Sequence, residues 1–138
     1  MKNDRQVATL HPLKQTLQIQ SPLQIAAKLW RMCEDSYRHG SPWTQEQFIQ
    51  DLEQPTAHYL IYQRQDKWLG FVSYHQVFDE VDITHVVVEK DVQGSGFGRD
   101  MLKRVIQQLY TEDVQTIFLE VRHSNVAALR LYQELGFQ

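Results

Sequence analysis

The feature that most constrains this chain is a glycine-rich turn between a β-branched run and an amphipathic segment. Gly94, Gly96 and Gly98 fall within five residues and follow the β-branched run at 84–88. Glycine lets the backbone turn tightly and approach a ligand closely. A helix that starts at such a turn leaves its first N–H groups unpaired and directs its positive dipole end to the same place. The pattern therefore predicts a strand, an anion-binding turn suited to a diphosphate, and a helix.

The spacing of the glycines separates this turn from two common phosphate-binding loops. Residues 94–98 read G-x-G-x-G, whereas the dinucleotide turn reads G-x-G-x-x-G and the ATP loop ends in Gly-Lys-Ser or Gly-Lys-Thr. The turn is therefore expected to hold its anion in a different way. A turn that only packs a helix tightly against a strand would use the same residues, and that alternative stays open here.

The N-terminal third predicts one strand and one long helix. Residues 13–20 alternate apolar and polar side chains, which predicts a first strand. Ser21 followed by Pro22 predicts the start of a helix that ends near Gly40. Its apolar face is predicted to consist of Leu23, Ala26, Ala27, Trp30, Cys33 and Tyr37.

The rest of the chain predicts a mixed α/β fold. Thr44 and Gln47 form a capping box for a short helix that Pro55 ends, with Phe48, Ile49 and Leu52 facing inward. Strands are predicted at 58–64, 68–77, 81–88 and 116–122, and helices follow the glycine turn and residue 124. A helix joins strands 81–88 and 116–122, so these two strands should run parallel with a right-handed crossover.

Length and composition set the class of protein. A chain of 138 residues is expected to form one domain over 1–138. With 42% hydrophobic residues and a net charge of −3, it is expected to be an ordinary soluble globular protein. Lysines and arginines are scattered and no apolar run could cross a bilayer, so neither nucleic acid nor a membrane is an expected partner. One cysteine excludes an internal disulfide, and the expected location is cytoplasmic.

Several motifs in the second half resemble one known superfamily. They are Gln93-x-x-Gly96-x-Gly98-Arg99, Leu119-Glu120-Val121-Arg122, Ser124-Asn125, Leu131-Tyr132 and Leu135-Gly136-Phe137. From about residue 37 to the end, the sequence resembles the GCN5-related N-acetyltransferase (GNAT) superfamily. Within it, the chain most resembles the bacterial ribosomal-protein-alanine N-acetyltransferases, because Ser41-Pro42-Trp43-Thr44 with Phe48 fits their loop between the first two helices.

The resemblance implies the GNAT fold, with a mixed central sheet, flanking helices and acetyl-CoA as co-substrate. In this fold the two parallel strands splay apart and the thioester arm lies in the gap. The implied cofactor-binding residues are Val86, Val88, Gln93, Gly94, Ser95, Gly96, Phe97, Gly98, Arg99 and Asn125. Gln93 would brace the turn and Arg99 would lie near the phosphates, although Arg99 could equally be a solvated first-turn residue.

The resemblance also implies two catalytic residues. Glu120 would remove the proton from the incoming amine, with its carboxyl either on a partly wet face or raised in pKa by burial; a pairing with Arg122 or another cation is the alternative. Tyr132 would donate a proton to the departing thiolate, or it packs with its hydroxyl at the surface. His85 is the reserve base. Cys33 lies on an apolar helical face and is expected in the core, which favours direct transfer over an acetyl-cysteine route.

The acceptor class follows in part from pKa values. An α-amine with a pKa of about 8 is roughly one-tenth neutral at pH 7, whereas a lysine near 10.4 costs about 4.6 kcal/mol to deprotonate. This agrees with a protein N-terminus as acceptor, and Asp79 and Glu80 could attract a cationic one. A small amine such as a polyamine, and a non-catalytic acyl-CoA-binding module, remain alternatives. The six histidines lack metal-ligand spacing, so no metal is expected.

The end of the sequence departs from the family pattern. Family members continue past Gly136-Phe137 with two further strands that this sequence lacks, so either the sequence is truncated or another subunit supplies these strands. Strand 116–122 is therefore expected to present an open edge, to which a second copy could add as a homodimer.

Overall fold

A computed structural model describes residues 8–14, 20–120 and 126–137. Its sheet has five strands in the order β1-β2-β3-β4-β5. The strands are β1 (Thr9–Pro12), β2 (Ala57–Arg64), β3 (Lys67–Val77), β4 (Glu80–Val88) and β5 (Thr116–Leu119). The helices are α1 (Pro22–Ser36), α2 (Gln45–Leu52), α3 (Phe97–Thr111) and α4 (Val126–Glu134). The mixed α/β class is confirmed.

The strand predicted at residues 13–20 is wrong where the structure describes it. The first strand, β1, lies earlier and pairs with β2, with His11 opposite Ile61. At Leu13 the chain already turns, although its N–H still donates to the Tyr59 carbonyl at 3.0 Å. Residues 15–19 lie outside the described part. The alternation that suggested the strand depended on glutamines, which carry no strong preference for either face.

Both helices before β2 begin where the sequence predicts, and the face that α1 buries shares Ala26 and Cys33 with the predicted one. Full capping boxes join Ser21 to Gln24 and Thr44 to Gln47. The buried residues of α1 are Ile25, Ala26, Leu29, Met32 and Cys33, whereas the predicted Leu23 is 67% exposed. Two apolar stripes overlap on this helix, and only the tertiary packing decides which of their residues are fully buried.

The sheet separates two apolar clusters. One lies on the α3 side and contains Leu102, Val105 and Leu109 of that helix. The other lies on the α1 and α2 side and contains Phe48 and Phe71. Helices therefore pack against both sides of the sheet, and a ligand would contact different residues on each side.

A β-bulge in β4 changes which side its residues face. Ser73 pairs with His85 and Tyr74 pairs with Ile83, so Thr84 is the extra residue on β4. Val81 and Ile83 belong to the cluster on the α3 side, whereas Val87 belongs to the cluster on the α1 side. The bulge therefore rotates the second half of β4 by one residue.

The parallel pairing of β4 with β5 is confirmed and is short. The described register runs from Glu80 opposite Thr116 to Ile83 opposite Leu119. Within the described residues, the part of β4 from the bulge at Thr84 onward therefore has no partner in β5. The strand predicted to reach residue 122 ends at Leu119, and residues 121–125 lie outside the described part. Among the described helices, none has the length and apolar character to span a membrane.

Candidate active site

The glycine turn leads directly into the first turn of α3. Gly94 and Gly96 have φ values of 82° and 87°, which L side chains adopt rarely, and Gly96 is the N-cap of α3. A Cβ on Gly98 would lie 3.2 Å from Cγ2 of Val88, so glycine here lets the helix start close to β4. The Ser95 hydroxyl donates to the Val92 carbonyl and closes the turn. The first N–H groups of α3 are thereby presented in one concave backbone segment, which is suited to an anion.

The end of β4 is tied to both the turn and α1. The Val88 carbonyl accepts one hydrogen bond from Nε2 of Gln93 and one from Oγ of Ser36, each of 2.9 Å. Burial raises the pKa of the Tyr37 phenol, and the nearby backbone of Val86 opposes this rise. The carbonyl of Val88, one of the implied cofactor-binding residues, therefore already has partners in the protein. Both lone pairs of the Val88 carbonyl are used, so a ligand that bonds this oxygen must displace Gln93 or Ser36. Nothing in the sequence indicated Ser36, and Tyr37 was indicated only as part of the apolar face of α1.

Arg99 makes a contact that neither sequence alternative includes. Its guanidinium forms an ion pair with the carboxylate of Glu134 at the end of α4. Both side chains are about half exposed, at 51% and 42%. Arg99 is therefore neither alone in solvent nor fixed toward the turn, and the pair joins the start of α3 to the end of α4.

Tyr132 lies on the same side of the sheet as the turn. Its ring packs against the cluster that also receives Val86 and Val88, and it meets Phe137 edge-on with 6.1 Å between centroids. Burial raises the pKa of the Tyr132 phenol. A phenol with a raised pKa stays protonated at neutral pH and can donate a proton.

Glu120 is the first residue after β5 and its side chain is exposed. Of the two alternatives from the sequence, a wet face and a buried carboxyl, the structure therefore has the first. Arg122, the proposed pairing partner, and Asn125, the proposed cofactor ligand, lie outside the described residues. The structure thus brings the turn, Val86, Val88 and Tyr132 to one side of the sheet, and leaves Glu120 at the end of β5.

His85 is buried on the opposite side of the sheet, with 2% exposure. Its Nδ1 lies 2.9 Å from Oγ of Ser73, which in turn lies 2.7 Å from Oγ1 of Thr84. Among the residues that the structure describes, none hydrogen-bonds its Nε2. Leaving a buried polar atom unpaired costs about 1–3 kcal/mol, so such an atom calls for an explanation.

Three aromatic rings surround the His85 imidazole. Its centroid lies 4.4 Å from that of Trp43, 5.1 Å from Phe48 and 6.1 Å from Phe71. Burial among these rings lowers the pKa of His85 to about 4, against a small opposing effect of Asp51. His85 is therefore neutral at physiological pH. The inward alternation of residues along β4 was the sequence signal that could have indicated its burial.

Asp51 of α2 is a buried carboxylate with two partners. Oδ2 accepts a hydrogen bond of 2.6 Å from the Tyr59 hydroxyl, and Oδ1 lies 2.6 Å from Nε2 of His75. Nδ1 of His75 lies 2.7 Å from Oγ1 of Thr56. This network fixes α2, and with it the loop that carries Trp43, against β2 and β3.

A polar cleft of about 540 Å³ lies beside the turn. It is lined by residues 34–38 at the end of α1 and by residues 89–91 and 93 before the turn. The lining has four acids, Glu34, Asp35, Glu89 and Asp91, against two bases, Arg38 and Lys90. The cleft therefore favours a cationic occupant. In the part of the chain that the structure describes, no three His, Cys, Asp or Glu side chains are grouped so as to hold a metal ion.

Comparisons with known proteins point in the same direction as the geometry. The family model described as the acetyltransferase (GNAT) family matches residues 23–137. A relative from Escherichia coli (strain K12), named [ribosomal protein bS18]-alanine N-acetyltransferase, is 34% identical over 99 residues, which are 72% of this chain. A relative from Bacillus subtilis (strain 168), named as a putative enzyme of that kind, is 31% identical over 99 residues, or 71% of this chain. Each match spans 66% of the relative's own length, just under two thirds.

A solved structure has the same fold. The crystal structure of the ribosomal-protein-S18-alanine N-acetyltransferase from Escherichia coli has a TM-score of 0.78 and 27% identity. The alignment covers 95% of this chain and 77% of that one. The shared fold therefore extends over almost the whole of this chain.

Proposed function

The chain belongs to the acetyltransferase (GNAT) family, and from this we propose that it transfers an acetyl group from acetyl-CoA directly to an amine. The preferred acceptor is the N-terminal α-amine of a protein, with a ribosomal protein as the first candidate. The observation that carries the proposal is the turn at 94–98, where two left-handed glycines open onto the start of α3 beside β4.

The residues present fit the diphosphate of acetyl-CoA. The space where a Cβ would stand on Gly94 is open to 4 Å, so the backbone there is approachable. The N–H groups of residues 94–99 would hold the diphosphate, with Gln93 keeping the turn against Val88. When bound, acetyl-CoA supplies the acetyl thioester. Val86 and Val88 border the side of the sheet along which its arm would run, and Asn125 is a further proposed contact.

Two side chains of the chain are proposed to move protons. The exposed carboxylate of Glu120 would accept a proton from the acceptor ammonium, directly or through water. The protonated phenol of Tyr132 would donate to the thiolate as it leaves. A thiol with a pKa of about 8.5 is already a fair leaving group, so Tyr132 would assist this step rather than enable it.

Three arguments support an α-amine on a cationic protein as acceptor. One exposed carboxylate suffices for an amine of pKa about 8, which is partly neutral at pH 7. The cleft beside the turn has an excess of acids. The relatives are named as alanine N-acetyltransferases of ribosomal protein bS18. We place the protein in the cytoplasm and expect no role for nucleic acid, membrane or metal.

Calorimetric titration of acetyl-CoA, beside a thiol-release assay, tests the proposal. The acceptors are a synthetic peptide that begins with alanine and carries arginines further along, the same peptide with a blocked N-terminus, and spermidine. Turnover with the free peptide alone supports the proposal. Turnover with spermidine alone indicates a small-amine enzyme, and binding without turnover indicates an acyl-CoA-binding module. No binding would refute the assignment of the turn.

We also propose self-association through β5. In the described part of the sheet β5 pairs with β4 alone and so forms an edge, and Phe118 on it is 53% exposed. Light scattering across the micromolar range should detect a dimer, and F118K should weaken it. A strictly monomeric protein over that range would contradict this proposal.

A further inference from the structure

The unpartnered Nε2 of His85 is the strongest unexplained feature of the described structure. The rest of the His85 side chain has defined contacts, because Nδ1 has Ser73 as a partner and three rings enclose the imidazole. An imidazole with one nitrogen hydrogen-bonded and the other free is fixed in orientation and ready to bond a ligand. Such a buried unpaired atom points to a missing partner.

The position of His85 in the sheet indicates what that partner is. Ile83 is the last β4 residue in the described pairing with β5, and His85 follows the bulged Thr84. Within the described residues, His85 thus lies just past the last paired position of the two strands. The turn, Val86, Val88 and Tyr132 lie on the α3 side of the sheet, whereas His85 faces the α1 and α2 side. If the cofactor lies on the first side with its thioester arm between β4 and β5, as the resemblance implies, an attacking amine approaches from the second side.

One of the three rings around His85 differs from the others in exposure. Phe48 and Phe71 are fully buried, whereas Trp43 is partly exposed. Trp43 lies in the loop between α1 and α2, and its own backbone is held by Ser41, whose hydroxyl donates to the Trp43 carbonyl at 2.6 Å. Trp43 is therefore the ring that can admit a ligand to His85 without unfolding the core.

We propose that Nε2 of His85 accepts a hydrogen bond from the acceptor amine, and that Trp43 covers this atom until the acceptor enters. The inference rests on the proposed function and adds an acceptor-binding residue to it. In this arrangement Nδ1–H donates to Ser73, and the Ser73 hydroxyl donates to Thr84, which leaves the Nε2 lone pair available. The neutral imidazole orients the amine and leaves proton removal to Glu120.

The first test observes His85 directly by nitrogen NMR of the imidazole in the wild-type protein. The proposal predicts the Nδ1–H tautomer in the free protein. It also predicts a shift of the Nε2 resonance when the alanine-starting peptide is added in the presence of CoA, which cannot react. His58, which stacks on Tyr74 at 5.1 Å in another part of the sheet, is the internal control and should not shift. An Nε2–H tautomer, or an Nε2 resonance unchanged at saturating peptide, would overturn the inference.

The second test separates acceptor binding from folding. H85L fills the same space with an apolar side chain that cannot accept a hydrogen bond. It should raise the KM for the peptide at least tenfold and leave the KM for acetyl-CoA unchanged. H85Q, whose amide oxygen can accept the same bond, should recover most of this loss, and H58Q should behave as wild type. W43A should speed modification of His85 by diethyl pyrocarbonate at least fivefold, and bound peptide should slow it again.

The outcomes distinguish a failure of this inference from a failure of the proposed function on which it rests. A wild-type protein that acetylates none of the amines would overturn both. Wild-type turnover on the peptide together with an H85L variant of unchanged peptide KM would overturn the inference alone.

Discussion

The side chain of Gln93 is bonded to the backbone of Val88, because its Nε2 donates a hydrogen bond of 2.9 Å to the Val88 carbonyl. This contact holds the glycine turn against the end of β4. Q93A should weaken acetyl-CoA binding about fivefold, the effect of losing a hydrogen bond worth roughly 1 kcal/mol. Calorimetry measures it. Ser36 lies outside the turn and donates the other hydrogen bond to the same carbonyl, so S36A should lower the affinity for acetyl-CoA less than Q93A does. Equal losses in the two variants would mean that the affinity depends on the Val88 carbonyl and not on the position of the turn.

Variants of the ion pair between Arg99 and Glu134 can show whether Arg99 binds the diphosphate or serves only a structural role. R99A should weaken acetyl-CoA binding several-fold, increasingly at low salt, if the guanidinium also serves the diphosphate. E134A should leave that affinity unchanged or improve it, because it frees Arg99. An exposed pair contributes only about 0–1 kcal/mol, so neither variant should unfold the protein. K103A, on the exposed face of α3, controls for loss of one positive charge. Parallel losses in R99A and E134A would show that the pair is only structural.

Substitutions of Glu120 and Tyr132 should lower the turnover rate and leave the affinity for acetyl-CoA unchanged. E120Q should lower kcat about 100-fold, in the range of general base catalysis, and Y132F about tenfold. The dissociation constant of acetyl-CoA should stay within about twofold of wild type. E46Q and Y110F, at exposed positions on α2 and α3, are the matched controls. If all four variants turned over at the same rate, the two catalytic assignments would be wrong.

The buried His85 should make folding sensitive to acid. Its pKa is lowered from 6.5 to about 4 in the folded protein, so the unfolded chain binds the proton more readily. The stability that depends on a neutral His85 is therefore fully present above pH 6.5, and about 3 kcal/mol of it is lost as the pH falls toward 4. Urea unfolding at several pH values measures this, and H85Q should remove that part of the slope. H39Q, at an exposed position, controls for the loss of one histidine. A slope that H85Q leaves unaltered would contradict the prediction.

Local sequence rules predicted much of the framework, and they failed where two faces or two registers competed. The capping residues Ser21 and Thr44 started their helices as predicted, because a cap depends on residues three positions away. The exposed Leu23 shows the opposite case, since periodicity alone offers two apolar stripes on α1. The first strand was misplaced because its alternation relied on glutamine.

The sequence by itself determined the glycine turn, the helix starts, the parallel β4 and β5, and the family, because each depends on a short motif or a connection between neighbours. Only the tertiary structure decided the bulge at Thr84, the burial of His85 under Trp43 and the pairing of Arg99 with Glu134. These contacts join residues far apart in the chain. The burial of His85 also depends on which side of the sheet it faces, and the single bulged residue Thr84 sets that side.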